Sequence, residues 1–401
     1  MRREDQILVE ILADFVNGRS VRCLPDVSLE ALYETAQKHN VAGIAAAMLL
    51  PVLKEQKKED AYRTFREVYM ATVYRSVLLE EEVKAFAARM EEAQVPYAFF
   101  KGCELRDLYP TPELRTMGDV DVLVRDEDMA RTAAVLRELG YRKEEGGSAV
   151  WVLKKDRFSY EVHRRLAFGT YWNKVDYEGY FAGAFSRLIP GEGSRRFFSP
   201  EDHFVFLCFH LAKHLNSSGA GIRMVMDLAL FLKAYRERMD WGYIREQVAK
   251  LGMNRFAATV LQASGAWFGI PEQMDPAASQ ADPGTLEELK YYIMTGGIFG
   301  FERDESIRRL RSGISGRTEK ASFLIRAKAL WRIAFPKKKH MVYFLPALER
   351  YPALLPLAWV KRWRIGLANR WKIRAAFRGI DRSGSLEEAK MQYRLLKKIG
   401  L

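Results

Sequence analysis

Two aspartates one residue apart lead into an unbroken apolar run, Asp119-Val120-Asp121-Val122-Leu123-Val124, and this stretch constrains the fold more than any other. A short run dominated by Val and Leu is strand material. Strand side chains alternate faces, so Asp119 and Asp121 point one way while Val120, Val122 and Val124 point the other. One face is then free to build a core, and the opposite face carries two carboxylates. Neighbouring carboxylates repel unless a cation lies between them, and Mg²⁺ prefers hard oxygen ligands of this kind. Just upstream, Tyr97-Ala98-Phe99-Phe100 reads as a second strand ending at Lys101-Gly102. A short helix over Glu104 to Tyr109 and a loop at Pro110-Thr111-Pro112 are predicted between the two.

The pattern continues as a small sheet. Asp126 to Leu139 reads as a helix with acids in its first turn and Gly140 as its stop. Tyr141 to Glu145 and Ala149 to Lys154 read as strands around a Gly146-Gly147 turn, and Phe158 to Leu166 as a further strand. In that last strand Tyr160, Val162 and Arg164 share one face, and Glu161, His163 and Arg165 the other. The order predicts an α+β fold, a small mixed sheet with helices on one face.

Helical patterns flank this core on both sides. Residues 1–92 carry apolar stripes such as Ile7, Leu8, Ile11, Leu12 and Phe15, with Ser28 as a helix cap and Pro51 closing or opening a helix. Asp60 to Met90 reads as one long amphipathic helix or two joined, and His39 as a surface or cap residue. After residue 168 a capping box at Ser199-Pro200-Glu201-Asp202 opens a helix through His210-Leu211-Ala212-Lys213-His214. Further helices follow to about residue 320. Four segments are therefore expected: 1–92, 93–168, 169–320 and 321–401.

Charge sets the last segment apart. The whole chain carries a net +13, yet Ala321 to Leu401 alone holds 19 Lys or Arg against 4 Asp or Glu. The basic character thus belongs to that segment, which suggests an anionic partner there: nucleic acid, a membrane surface or an acidic peptide. Its apolar run is interrupted by Pro346, Pro352 and Pro356, too broken to span a bilayer. Trp331, Trp359, Trp363 and Trp371 among basic residues suit a membrane surface, and packing onto the helical domain is an equal alternative. Three widely spaced cysteines, Cys23, Cys103 and Cys208, argue against a disulfide framework, and the N-terminus lacks a signal-peptide apolar region. A reducing, cytoplasmic setting is expected.

The chemistry gathers on three acids. If the strand bearing Glu161 neighbours the one bearing Asp121, then Asp119, Asp121 and Glu161 form a three-carboxylate cluster able to hold two Mg²⁺ ions. Lys101-Gly102-Cys103 stands at a strand-to-helix turn, where backbone N–H groups can cradle phosphates. Arg115 is placed to pair with phosphates or to hold Asp119. An Asp-x-Asp pair alone is also what an ordinary strand start looks like.

LysGly at 101–102, ArgThrMetGlyAspValAspValLeuVal at 115–124, GluValHis at 161–163, HisLeuAlaLysHis at 210–214 and GlyIleArgMetValMetAspLeu at 221–228 together resemble the uncharacterised nucleotidyltransferase family. That family is a branch of the DNA polymerase beta-like nucleotidyltransferase superfamily. The likeness also takes in Phe335-Pro336 and the Pro-rich basic tail, and so covers most of the chain beyond the first helices. It implies a nucleotidyltransferase core at 93–168, with Asp119, Asp121 and Glu161 as metal ligands and catalytic acids. It further implies Gly102 and Cys103 at the phosphate turn, with Cys103 standing where the superfamily has Ser or Gly. The implied reaction moves NMP from an NTP to a hydroxyl of an unidentified acceptor, a small molecule or peptide.

The second helical domain adds candidates. His210, Lys213 and His214 share a helical face, and Arg223 and Asp227 lie one turn apart. Either they form a buried polar contact between helices, or Lys213, His214 and Arg223 line the cleft and touch phosphates or the acceptor. The spacing of His210 and His214 is zinc-like, but no Glu follows the first and the sequence offers no evident third ligand. His163 shares the face of Glu161 and is expected near the metals or as an ordinary strand histidine. Two other classes remain open: a glycosyltransferase-like enzyme holding a sugar nucleotide at Asp-x-Asp, and a non-catalytic nucleotide- or anion-binding module.

Overall fold

A computed structural model describes residues 1–144, 150–217, 219–271, 281–297, 305–314, 322–341, 345–348, 350–368 and 384–401. The first ninety residues fold as α1 (Arg3–Val16), α2 (Leu29–Lys38), α3 (Ala42–Glu55) and α4 (Glu59–Glu92). Ser28 caps α2 by accepting the Ala31 N–H at 3.3 Å. The helix α3 runs through Pro51 rather than ending there, and α4 is one unbroken helix of 34 residues.

The sheet is built from β1 (Tyr97–Phe99), β2 (Val120–Val124), β3 (Arg142–Lys143), β4 (Val150–Lys155) and β5 (Phe158–His163). Two short helices, α5 (Gly102–Arg106) and α6 (Met129–Glu138), lie between its strands. Strand order is β1-β2-β5-β4-β3. β2 and β5 run parallel, and every other neighbouring pair is antiparallel, so the fold is α+β with a mixed sheet. The register sets Asp121 directly opposite Glu161.

Face alternation works as β-geometry requires. Val120, Val122, Val124, Tyr160 and Val162 are buried against Phe86 and Met90 of α4 and Met129 and Leu136 of α6. Burying apolar surface at roughly 25 cal/mol per Å² makes this face the anchor of the core. It leaves Asp121, Glu161 and His163 on the opposite face.

Element ends differ from the sequence expectation where local chemistry intervenes. The helix expected over Glu104 to Tyr109 starts at Gly102 and ends at Arg106, because Lys101 takes φ 53° and ψ −116° and turns the chain at once. β5 stops at His163, where Arg164 turns to Asp126 at 3.3 Å and Arg165 to Glu178. The Gly146-Gly147 turn lies outside the described residues.

The chain then forms α7 (Tyr177–Phe181) and a hairpin of β6 (Ile189–Pro190) and β7 (Arg196–Phe197), which the sequence pattern did not indicate. The helices α8 (Pro200–Asn216), α9 (Ile222–Tyr235), α10 (Trp241–Lys250), α11 (Asn254–Phe268) and α12 (Pro283–Gly296) follow. The Ser199 hydroxyl accepts the Asp202 N–H at 3.1 Å, as a cap for α8. His39 is fully buried rather than at the surface: its Nε2 bonds Met294 O at 3.2 Å and its Nδ1 accepts the Ile222 N–H at 3.3 Å. Burial drives its pKa down to about 4, so it stays neutral and caps α9.

Contacts divide the chain into two compact units. The first comprises Met1–Asn216, Ala220–Ile298 and Ile399–Leu401, and holds the whole sheet. The second comprises Ser217–Gly219 and Phe299–Lys398. Among the described residues its helices are α13 (Glu305–Gly313), α14 (Ser322–Ala334), α15 (Lys338–Met341), α16 (Leu355–Ala368) and α17 (Ser385–Lys398). Ile307, Leu310, Ile325, Ala329, Leu386 and Ala389 form its core. The Phe335 ring contacts Trp331, Trp359 and Trp363 in the same unit. Among the described residues no helix is long and apolar enough to cross a membrane.

Candidate active site

The parallel register of β2 and β5 builds the site. It brings Asp121 beside Glu161, and the two-residue strand period adds His163 on the same face. One ligand atom from each of Asp121, Glu161 and His163 lies within 4.8 Å of the others. Asp121 Oδ1 accepts from Lys101 Nζ at 2.6 Å and from His163 Nε2 at 2.8 Å. His163 Nε2 also lies 3.3 Å from Glu161 Oε2. Asp119, the residue before β2, lines the same cleft but is not part of this closest group. The expected trio and the observed trio therefore share Asp121 and Glu161, and His163 joins them. Two carboxylates and an imidazole within this span suit a divalent cation, with oxygen donors for Mg²⁺ and a nitrogen that borderline metals accept more readily.

The other wall of the cleft comes from α8 and α9, within the same unit. The cleft encloses about 420 Å³. Lys101, Gly102, Arg115, Asp119, Asp121 and Glu161 line it on one side, and Lys213, His214 and Arg223 on the other. Cys103 does not. Its thiol packs with Met117 and Val120 in the core, where burial pushes its pKa up to about 12. Only its backbone remains for the expected phosphate turn. Gly102 has a packing reason of its own: a Cβ there would come within 2.6 Å of Met117 Sδ and 3.0 Å of an Arg115 nitrogen.

Electrostatics separate the acids. Burial disfavours the Asp121 charge, but Lys101 and His163 together bring its pKa down to about 2. The hydrogen bond from His163 holds Glu161 below its ordinary value. Asp119 has the reverse fate: burial first, then the charges of Asp121 and Glu161, raise it to about 6. Asp119 is thus the acid whose charge its surroundings compensate least.

The expected cationic residues are spent unequally. Arg115 donates from Nε and a terminal nitrogen to both oxygens of Asp227, each at 2.9 Å, and Tyr109 donates its hydroxyl to the same carboxylate at 2.6 Å. Arg115 therefore holds Asp227 rather than Asp119. Arg223, one turn from Asp227 in sequence, turns instead to the carbonyl and hydroxyl of Thr116. Its Nε is buried without a hydrogen-bond partner. Burial, then Arg115 nearby, lowers the Arg223 pKa. Lys213 is half-buried, and its pKa is lowered by burial and by the Lys101 charge. Aromatic rings line the same cleft: His210 stacks on Phe206 at 5.9 Å and meets His214 edge-on at 4.6 Å. Burial, then Lys213, lowers His214 to about 4, so the ring is neutral.

Sequence reasoning missed Tyr109 and Asp227 as the partners of Arg115. The one-turn spacing of Arg223 and Asp227 placed both on one face of α9 but carried no signal for Arg115, which approaches Asp227 from the loop before β2. The family described as Uncharacterised nucleotidyltransferase matches residues 25–269, a span that contains both walls of the cleft. No curated protein and no solved structure matches the chain.

Proposed function

The chain belongs to the uncharacterised nucleotidyltransferase family, and from that premise we propose that the cleft transfers NMP from an NTP to a hydroxyl of its acceptor with Mg²⁺. The observation that carries this reading is the Asp121–Glu161 register, with Asp119 beside it and two cations on the opposite wall. Asp121 and Glu161 hold a divalent cation, and Asp119, poorly compensated by side chains, takes a share in a second. Bound Mg²⁺ would polarise the phosphate and acidify the attacking hydroxyl. Lys213 and the buried Arg223 Nε face the triphosphate, since an anion supplies the acceptor that Arg223 lacks. The neutral rings of Phe206, His210 and His214 offer a stacking surface for a base or an acceptor ring.

In the transfer, the acceptor oxygen forms a bond to the α-phosphorus as the bond to pyrophosphate breaks. Pyrophosphate leaves with the electron pair, and the hydroxyl proton passes to a cleft carboxylate or to water. The basic second unit is the proposed contact for an anionic partner, with Phe323, Leu324, Trp331 and Leu357 exposed on it. Family membership and, among the described residues, a mixed sheet of five strands favour this reading over a glycosyltransferase-like one.

The test is a thermal-shift panel of NTPs and sugar nucleotides with Mg²⁺, on the parent and on Glu161→Gln. NTP at a hundred times its Kd should stabilise the parent by about 2.7 kcal/mol. The variant should lose most of that gain while melting normally without ligand. Shifts with sugar nucleotides alone, or with nothing, would overturn the reading.

A further inference from the structure

Lys101 makes a contact that phosphate binding does not require. Its Nζ lies 2.6 Å from Asp121 Oδ1, on the oxygen that also accepts from His163. Both partners are largely withdrawn from water, with side chains 17% and 5% exposed. The backbone of Lys101 sits at φ 53°, a conformation a non-glycine residue keeps only when its surroundings impose it. It aims the side chain from the turn before α5 onto the acids of β2 and β5. An ammonium there occupies the ground a divalent cation needs, because Asp121 is a member of the closest ligand group. Two cations on one carboxylate oxygen repel each other strongly at this depth.

We propose that Lys101 is an internal counter-cation: it neutralises Asp121 in the metal-free protein, leaves it when a divalent cation binds, and moves to the phosphates of the nucleotide. A lysine suits the exchange. Its charge is a compact point on a flexible four-carbon stem, so the head moves while the backbone stays fixed. The Lys101 charge already acts across the cleft, where it opposes protonation of His210, Lys213 and His214. A polyanion between those groups and Lys101 relieves that repulsion. Metal and nucleotide therefore reinforce each other: the metal frees the lysine, and the triphosphate receives it. The second half rests on the nucleotidyl-transfer reading, while the first half does not.

The test starts without nucleotide. Mn²⁺ is titrated into the parent and into Lys101→Met, with binding read by calorimetry and by the loss of free Mn²⁺ signal in electron paramagnetic resonance. Removing the competitor should tighten Mn²⁺ by roughly tenfold or more. Equal or weaker binding by a folded variant would overturn the proposal. A measurement on the parent covers a variant that fails to fold. Acetylation of Lys101, followed by mass spectrometry, should speed up when Mn²⁺ is added and slow again with a non-hydrolysable NTP analogue. A rate indifferent to Mn²⁺ would also overturn it. With Mn²⁺ saturating, Lys101→Met should bind the analogue less tightly than the parent. If Mn²⁺ exchange is seen but neither protein binds any NTP, the lysine displacement stands and the nucleotidyl-transfer reading falls.

Discussion

Asp119→Asn should stabilise the metal-free protein, an unusual result for a change in a candidate active site. The parent carboxyl is raised from 3.8 to about 6 by burial and by Asp121 and Glu161. At about 1.4 kcal/mol per pKa unit, this shift of about two units places about 3 kcal/mol of penalty on the ionised native form. Asn removes the charge but its amide must still be desolvated, so the net gain expected is about 1–2 kcal/mol. The sign fixes the pH window. The folded parent holds this proton more tightly than the unfolded chain, so it loses stability as pH rises from about 4 to about 6 and no further above. The advantage of Asn is therefore absent near pH 4 and complete above about pH 6.5. Urea melts at both ends of that window, in chelator, read the difference directly. With Mg²⁺ and NTP the order should reverse, because the variant lacks one of the carboxylates proposed to bind metal, and turnover should fall on the order of a thousandfold. A variant less stable than the parent at neutral pH in chelator would refute the reasoning and make Asp119 a structural strand-start residue. Full activity would remove the pair from the catalytic centre.

Asp227→Asn leaves Arg115 buried with a weakened partner and should cost about 3–5 kcal/mol of stability in urea melts, with no recovery on adding Mg²⁺. A loss of activity without loss of stability would instead place Asp227 in direct contact with substrate. Gly102→Ala drives a methyl into Met117 and should destabilise by about 1–3 kcal/mol, partly relieved by Met117→Ala in the same chain. Binding of an anionic partner to the basic second unit should weaken as salt rises, since exposed charges are screened beyond about 8 Å at physiological ionic strength. Retention on anionic vesicles and on a polynucleotide, measured across a salt series, checks this; binding indifferent to salt would exclude a charge-driven contact.

Much of the candidate site's geometry was legible in the sequence because strand periodicity is local. Asp119-x-Asp121 fixes a shared face, and the valines between and after them fix which face is buried, whatever the rest of the chain does. The same period of two placed His163 with Glu161. The helical caps at Ser28 and Ser199 were equally readable, since a cap depends on a few adjacent residues.

Tertiary structure alone decided the pairings. Arg115 met Asp227 across 112 residues of sequence, and no local rule prefers that partner to Asp119. Cys103 went into the core because the turn at Lys101 starts α5 early and rotates the thiol inward. Lys101 became the partner of Asp121 because β1 and β2 are neighbours and the turn after β1 aims it there. The sequence by itself determined which side chains share a strand face, because backbone geometry sets that within a few bonds. Which strand lies beside which, and which cation meets which acid, followed only from packing the sheet between α4 and α6 on one side and α8 and α9 on the other.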